Sequence, residues 1–236
     1  MEKPFSFRHL RYIKPKSWIA FTVIVLFIQM YYQFTNTATD LFMIRFGMTY
    51  QSAKNTVAIL PLSNAILIPI FSAFYQKYGQ KPLGLFLSAA LAVVTYLGMS
   101  LFPSQDVGIL IYIAAACLSL FFALFNSCLY TAAIICIPKE STSFMIAFLV
   151  TLQNVVSAGL PVYYSYFYGP RTVQAYQNTL YALAGFCGGC AVLSFILFLA
   201  DISGDKLLTL PENDKRVKKI QRKMSMDFLA SVLTRP

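Results

Sequence analysis

The stretch LGLFLSAALAVVTYLGMSLF, residues Leu83–Phe102, contains no charged side chain. A helix of about 20 apolar residues is long enough to cross the hydrocarbon core of a bilayer. Short segments that contain Gly or Pro lie on both sides of it, Gln76–Pro82 before it and Pro103–Val107 after it. Such segments are typical of turns. The stretch therefore predicts a transmembrane helix with tight connections to its neighbours.

Five further apolar stretches of similar length predict further spans. The six predicted spans are Trp18–Ile44, Ala53–Tyr75, Leu83–Phe102, Gly108–Ile137, Ser143–Phe167 and Asn178–Ala200. Short connectors force neighbouring helices to lie antiparallel in one bundle. We therefore expect an all-α membrane protein, a six-transmembrane-helix bundle over residues 18–202. A basic N-terminal arm, residues 1–17, precedes it, and a basic amphipathic tail, residues 203–236, follows it.

Composition excludes an ordinary soluble domain. Of the 236 residues, 58% are hydrophobic and 12% are charged, whereas soluble domains carry about 25% charged residues. A soluble fold of this size could not cover so much apolar surface. The net charge of +10 is confined to the ends and the short loops, as in membrane proteins. This distribution argues against nucleic-acid binding.

Basic residues also predict the orientation. With the N-terminus inside, the inner segments are the N-terminal arm, the second–third loop, the fourth–fifth loop and the tail. They hold 5, 2, 1 and 8 of the 19 lysines and arginines. The outer side holds Arg45, Lys54 and Arg171. Because positive charge favours the inner side, we expect an even number of spans with both termini inside.

The tail after Asp201 predicts an amphipathic helix. Thr209-Leu-Pro-Glu212 has the form of a capping box. Four apolar residues then recur at helical spacing: Val217, Ile220, Met224 and Phe228. Basic side chains fill the other faces: Lys215, Arg216, Lys218, Lys219, Arg222 and Lys223. Such a helix lies on an anionic inner leaflet or docks on a partner; a solvated basic tail is the alternative.

Ionisable groups are scarce in the spans, which argues against catalysis. Asp40 lies near the outer end of the first span, where Arg45 is close enough in sequence to pair with it. His9, the single histidine, lies in the N-terminal arm. No pattern resembles a nucleophile with its base or a metal cluster. We therefore expect no enzyme activity, no catalytic residues, no metal and no cofactor.

Uncharged polar side chains in the spans are the candidates for a solute cavity, because polar groups in lipid are costly. The candidates are Asn64, Asn126, Tyr130, Gln153 and Asn154. The alternative is that they hydrogen-bond to neighbouring helices. Pro61, Pro69 and Pro161 permit bends that carriers use and packed bundles tolerate.

Two short motifs lie in the last span. Cys187-Gly-Gly-Cys190 matches the CxxC spacing of redox and zinc sites, but thiols inside an apolar helix more often serve packing. Gly185 and Gly189 form a GxxxG pattern, which permits close helix contact within the bundle or with another chain.

The segment Phe71–Lys81, FSAFYQKYGQK, resembles the loop signature between the second and third spans of a major facilitator superfamily half. Lys77, Gly79 and Lys81 fit that pattern or fall one residue from it. Ser72 stands where Gly is usual, and Gln76 stands where Asp is usual. In the family that Asp takes part in gating the inner side. With Gln76 in its place, this chain lacks that carboxylate at the gating position.

Three more segments resemble lysosomal dipeptide carriers, the major facilitator superfamily domain-containing 1 type. They are Asn126–Tyr130, Ile137–Glu140 and Thr151–Asn154. The resemblance covers about residues 18–200 and indicates the C-terminal half of such a transporter. It implies that Tyr130 faces the central cavity, and that Gln153 and Asn154 shape it.

A transporter of this superfamily contains two six-helix halves with substrate between them, and the resemblance covers one half. Three interpretations follow. The half pairs with a second half to carry small, peptide-like solutes; the fold serves as a non-transporting accessory subunit of a large membrane assembly, such as a respiratory complex; or the chain is a truncated product. Endolysosomal, plasma and mitochondrial inner membranes are all open.

Overall fold

The computed structural model describes residues 15–102, 108–138, 142–143, 146–148, 150–151, 154–155, 158 and 172–233. Within these ranges the long helices are α1 (Pro15–Phe46), α2 (Tyr50–Tyr78), α3 (Lys81–Leu101), α4 (Gly108–Ile135), α5 (Val173–Ile202) and α6 (Lys215–Leu233). All regular structure in the described part of the chain is helical. This confirms the all-α prediction.

Four of the described helices are long and apolar enough to cross a membrane: α2, α3, α4 over Gly108–Cys128, and α5. The chain is therefore a multi-pass integral membrane protein in its architecture. The predicted fifth span, Ser143–Phe167, and the arm over residues 1–14 lie largely outside the described residues. Six spans and the side of the termini stay predictions.

The turn between α2 and α3 is shorter than expected, because both helices extend into Gln76–Pro82. Gly79 ends α2 with φ +75°, and its N–H donates to the Tyr75 carbonyl at 2.9 Å. Gln80 follows at φ 59°, and Pro82 lies in the first turn of α3. Proline suits a first helical turn because its missing N–H would have no helical partner there. Two residues therefore reverse the chain.

Phe34 marks the place where three helices meet. It is fully buried on α1, and its ring lies 5.5 Å from that of Tyr96 on α3 in an edge-on arrangement. The Phe122 ring of α4 lies 6.5 Å away on another side. Such aromatic contacts add about 0.5–1.5 kcal/mol each beyond the burial of area. They fix α1, α3 and α4 around one core.

Two hydrogen bonds show that α2 and α4 run parallel. Near the start of both helices the hydroxyls of Ser52 and Tyr112 lie 3.1 Å apart, and further along Ser127 Oγ donates to the Ile68 carbonyl at 3.1 Å. Each contact joins an α2 position to an α4 position 59 or 60 residues later. Because α1 and α3 flank α2 across short turns, both run opposite to α4.

The contacts among α1, α3, α4 and α5 have the symmetry of an inverted repeat. α1 packs on α5 as α4 packs on α3, and α3 and α5 pack extensively on each other. Exchanging α1 with α4 and α3 with α5 leaves this pattern unchanged. Each exchanged pair is antiparallel, because α3 begins at the end of the bundle where α5 stops. α1 therefore runs opposite to α4, and α3 runs opposite to α5.

α2 is the least buried of these spans. Within its most apolar stretch 11% of the residues are buried, against 44% in α3 and 50% in α4. Its buried face carries Ala53, Thr56, Leu60, Asn64 and Tyr75. Large apolar side chains such as Leu62, Ile66 and Ile70 are exposed. α2 thus packs on the bundle along one face and leaves the other open.

Candidate functional sites

The predicted cavity residues occupy different environments. Asn64 lies on the buried face of α2, 6% exposed, and its Oδ1 has no hydrogen-bond partner in the described structure. Asn126 is half-buried on α4, and Asn154 is exposed. The Tyr130 side chain and Gln153 lie outside the described residues. Asn64 is therefore the candidate with a defined buried environment, and the cavity itself stays a prediction.

A row of small side chains on α4 lies opposite Asn64. Its members are buried and recur every four residues: Ala115, Ser119, Ala123 and Ser127. The register of the two helices brings Asn64 to the level of Ala123. Ser119 Oγ and Ser127 Oγ donate to carbonyls of their own helix at 2.9 and 2.6 Å. Small side chains permit close helix approach, and the register sets the buried Asn64 amide level with this row.

Sequence reasoning missed this row. Its four-residue spacing is present in the sequence, but each member looks ordinary in an apolar helix. What singles it out is the register with α2, which depends on the long-range contacts of Ser52 and Ser127.

Ser127 also donates to the carbonyl of Ile68, directly before Pro69. Pro69 itself has no N–H to donate within the helix.

The second site lies where α2 ends, α3 begins and α5 ends, here called the tail end. The tail loop, residues 203–214, is fastened to the turn between α2 and α3. Gln80 N donates to the Thr209 carbonyl at 3.0 Å, and Lys81 N donates to the Leu208 carbonyl at 3.4 Å. These N–H groups belong to the start of α3, where a helix leaves donors unpaired. The tail loop therefore supplies hydrogen-bond acceptors to two backbone N–H groups at the start of α3.

Gly79 lies directly beneath the tail loop. A Cβ at this position would collide with the Thr209 carbonyl oxygen and lie 2.7 Å from the Leu210 carbonyl carbon. The φ of +75° is also one that L side chains rarely adopt. Glycine is thus required here both by the backbone and by the close approach of the loop.

Asp201, at the end of α5, binds the tail loop through its side-chain carboxylate. Its side chain is fully buried, and Oδ2 accepts hydrogen bonds from Leu208 N at 3.1 Å and Thr209 N at 2.8 Å. The Thr209 hydroxyl donates to the same oxygen at 2.7 Å. Hydrogen bonds to a charged acceptor are stronger than neutral ones. One carboxylate oxygen thus folds the loop back onto the bundle.

Lys81 closes the site with a buried charge. It is 0% exposed, and Nζ lies 3.2 Å from Oε1 of Glu212, which is 31% exposed. Nζ forms no well-aligned hydrogen bond within the described residues, so the ion pair is the contact that balances its charge. A buried ammonium is strongly destabilising without a partner. Glu212 of the tail loop thus stabilises the buried lysine at the start of α3.

The residues of the family-like loop motif separate into two groups at this site. Gly79 and Lys81 are buried under the tail loop, whereas Gln76 and Lys77 are exposed and Ser72 is half-buried. Of the three positions that fit the family pattern or fall one residue from it, Gly79 and Lys81 contact the tail loop, whereas Lys77 is exposed. The gating role implied by the resemblance stays a prediction.

The amphipathic helix predicted in the tail is present as α6, but its N-terminus differs from the prediction. Asp214 caps the helix by accepting from Arg216 N at 2.7 Å. The capping-box prediction for Thr209 and Glu212 is wrong, because these side chains bind Asp201 and Lys81 instead. Sequence spacing could not anticipate those long-range partners.

The apolar stripe of α6 packs on the protein. Val217 is 1% exposed within the core, Ile220 and Met224 pack against it, and Phe228 is 8% exposed. Lys215, Arg216, Lys218, Lys219, Arg222 and Lys223 are all exposed. The stripe thus packs on the chain itself, a placement that the sequence pattern does not predict, and binding of this helix to an anionic leaflet or to a partner stays a prediction. The basic face remains available to another partner.

At the opposite end of the bundle Arg45 closes the C-terminus of α3. It is 7% exposed, and Nη2 donates to the carbonyls of Ser100 at 2.9 Å and Phe102 at 3.1 Å. The last carbonyls of a helix lack helical donors, and a cation there also favours the helix dipole. Arg45 thus has a structural role across two helices. Its pairing with Asp40 stays a prediction.

The two motifs of α5 show no ligand site. Cys187 and Cys190 are buried and not joined by a disulfide. A search of the described residues finds no group of His, Cys, Asp or Glu arranged to hold a metal. A Cβ on Gly185 or Gly189 would meet nothing within 4 Å. Among the described residues nothing packs on these two glycines, and close contact within the bundle or with another chain stays a prediction.

Comparisons with known proteins identify no relative. No family model matches the chain, and neither a curated protein nor a solved structure matches it significantly.

Proposed function

We propose that this chain is a six-span membrane protein with both termini inside that acts as one half of a transporter of the major facilitator type. It works with a second six-helix half and carries small solutes, with peptide-like solutes the first candidates. The observation that carries the proposal is the symmetric packing of four helices: α1 packs on α5 as α4 packs on α3, and the helices exchanged by this symmetry are antiparallel. Transporter halves of this type are built from inverted three-helix repeats.

The exposure of α2 supports the need for a second half. This helix contains Pro61 and Pro69, carries the buried Asn64 amide, and leaves most of its apolar stretch uncovered. In the proposed carrier, the open face of α2 meets the second half near the solute path. Bends at proline are tolerated in membranes where neighbouring helices or a cavity satisfy the freed carbonyls.

The tail loop favours a second candidate function, that of a non-transporting subunit in a larger membrane assembly. The turn between α2 and α3 corresponds to the loop that takes part in gating in the family that the chain resembles. Here that turn is held by Asp201 through the tail loop and by the Lys81–Glu212 pair. A turn fixed by buried contacts suits a scaffold better than a moving gate.

Uptake into vesicles tests the transport proposal. The particle is extracted from its native membrane in mild detergent, reconstituted, and offered a panel of dipeptides and other small solutes. Asn64→Leu, Tyr130→Ala and Gln153→Ala should each reduce uptake with the fold intact. Val94→Ala, at a position that is 68% exposed on α3, is the matched control.

Normal uptake by all three variants would show that the cavity assignment is wrong. Absence of uptake for the whole panel, together with many other subunits in the particle, would favour the scaffold.

A further inference from the structure

A groove of about 1040 Å³ runs along α6 at the tail end. Ile135, the last residue of α4, lines it together with side chains from the tail loop and from α6. Because α4 is a candidate membrane span, the groove lies where a span leaves the apolar phase. It is therefore placed at the level of lipid headgroups.

The charge of the groove is strongly positive. Lys215, Lys218, Lys219 and Arg222 line it, and all four side chains are exposed. Among the described residues of its lining Glu212 is the acidic one, and its carboxylate is already engaged by the buried Lys81. A basic surface of this kind beside a membrane attracts anionic headgroups.

Charge and apolarity are separated along the helix. The basic side chains occupy positions up to Arg222, whereas Met226 and Leu229, 62% and 44% exposed, follow further along. With a rise of about 1.5 Å per residue, Arg222 and Leu229 lie about 10 Å apart along the axis. Ile135 adds to the apolar lining. The groove thus matches a molecule with an anionic head and an apolar chain.

We propose that this groove binds one anionic phospholipid. Its phosphate contacts Lys218 and Arg222, and an acyl chain lies against Ile135, Met226 and Leu229. A soluble anion would leave the apolar half unused, and an apolar peptide would leave four cations unmatched. The inference requires a membrane location for α4 and holds for a carrier and a scaffold alike.

The alternative, attraction of the whole tail to an anionic leaflet, predicts a different dependence on position. Arg216 and Lys223 are exposed basic residues of the same helix that do not line the groove. Spread attraction weakens equally when any two charges are removed. A groove that holds one lipid depends on its own lining residues.

The test compares two double variants of the full chain, Lys218→Gln/Arg222→Gln and Arg216→Gln/Lys223→Gln. Each is reconstituted in phosphatidylcholine vesicles doped with phosphatidylglycerol, then extracted, and the retained phosphatidylglycerol is counted by native mass spectrometry. The groove variant should retain at least about tenfold less than the wild type. The control variant should match the wild type within about twofold.

Two further arms establish the chemistry of the ligand. Leu229→Ser should also lower retention, since it removes part of the apolar lining. Glycerol phosphate, which has the headgroup charge without acyl chains, should not displace the lipid. Circular dichroism of every variant checks the fold, and the exposed positions chosen leave it unchanged.

Equal losses for the two double variants would overturn the proposal in favour of spread charge. Displacement by glycerol phosphate would overturn it in favour of a simple anion site. A wild-type chain that retains no phosphatidylglycerol would show that the groove does not hold this lipid.

Discussion

Lys81 and Glu212 form an ion pair with unequal burial. The ammonium is 0% exposed and the carboxylate 31%, with 3.2 Å between Nζ and Oε1. The carboxylate is already partly exposed and can be solvated if its partner is lost, whereas the ammonium is buried. The pair therefore links the tail loop to the bundle, and we expect loss of the carboxylate to lower the free energy of unfolding more than loss of the ammonium.

Glu212→Gln should lower the free energy of unfolding by about 3–5 kcal/mol, because it leaves a buried charge without its partner. Lys81→Met should cost about 1 kcal/mol or less, because the remaining carboxylate is partly solvated. Thermal unfolding in detergent measures both. Lys77→Met, at an exposed lysine of the same region, is the control. Equal effects of the two substitutions would contradict the asymmetry.

Gly79→Ala should release the tail loop, because the added methyl group collides with the Thr209 carbonyl. We expect a loss of about 2–5 kcal/mol, the sum of backbone strain and overpacking. Gly47→Ala is the matched control: Gly47 has φ +67°, and its Cβ would meet nothing within 4 Å. That variant should lose about 1–2 kcal/mol. If both variants unfold at the same temperature, the close approach at Gly79 has no energetic role.

Asp201→Ala should free the tail loop by leaving two backbone donors and the Thr209 hydroxyl without their acceptor. A loss of about 2–4 kcal/mol is expected. Cleavage by trypsin after Lys206, an exposed residue of the loop, reports the release. Thr209→Val removes one of the three hydrogen bonds and should accelerate cleavage less. Cleavage at the wild-type rate in Asp201→Ala would contradict the organising role of the carboxylate.

The positions of the described spans could be predicted from the sequence, because hydropathy alone sets their length and place. How they pack could not. In lipid, both faces of a span are apolar, so no periodicity marks the side of α2 that meets α4. The parallel register depends on Ser52 with Tyr112 and Ser127 with Ile68, contacts between residues far apart in sequence.

The tail shows a second limit of local patterns. The apolar spacing from Val217 to Phe228 correctly predicted one packed face of α6. Thr209 and Glu212 have capping-box spacing, yet their partners are Asp201 and Lys81. A side chain that can cap a helix can also bind a carboxylate or an ammonium elsewhere. Local spacing carries no information on which of these the fold provides.

Asn64→Leu should leave the fold intact and raise the free energy of unfolding by up to about 3 kcal/mol, because it removes a buried acceptor without a partner. Unfolding in detergent measures this. Asn126→Leu, at a half-buried position of α4, is the comparison and should change stability less. A marked loss of stability in Asn64→Leu would show that the amide holds the bundle together and would weaken its assignment to a solute path.

The mass and subunit composition of the particle, extracted from its native membrane in mild detergent, test the transporter proposal most directly. The proposal predicts a small particle that contains two six-helix halves, whether the second half comes from a partner chain or from another copy. A large assembly with many other subunits would contradict it. The fold would then serve as a scaffold, with the fastened tail as part of its framework.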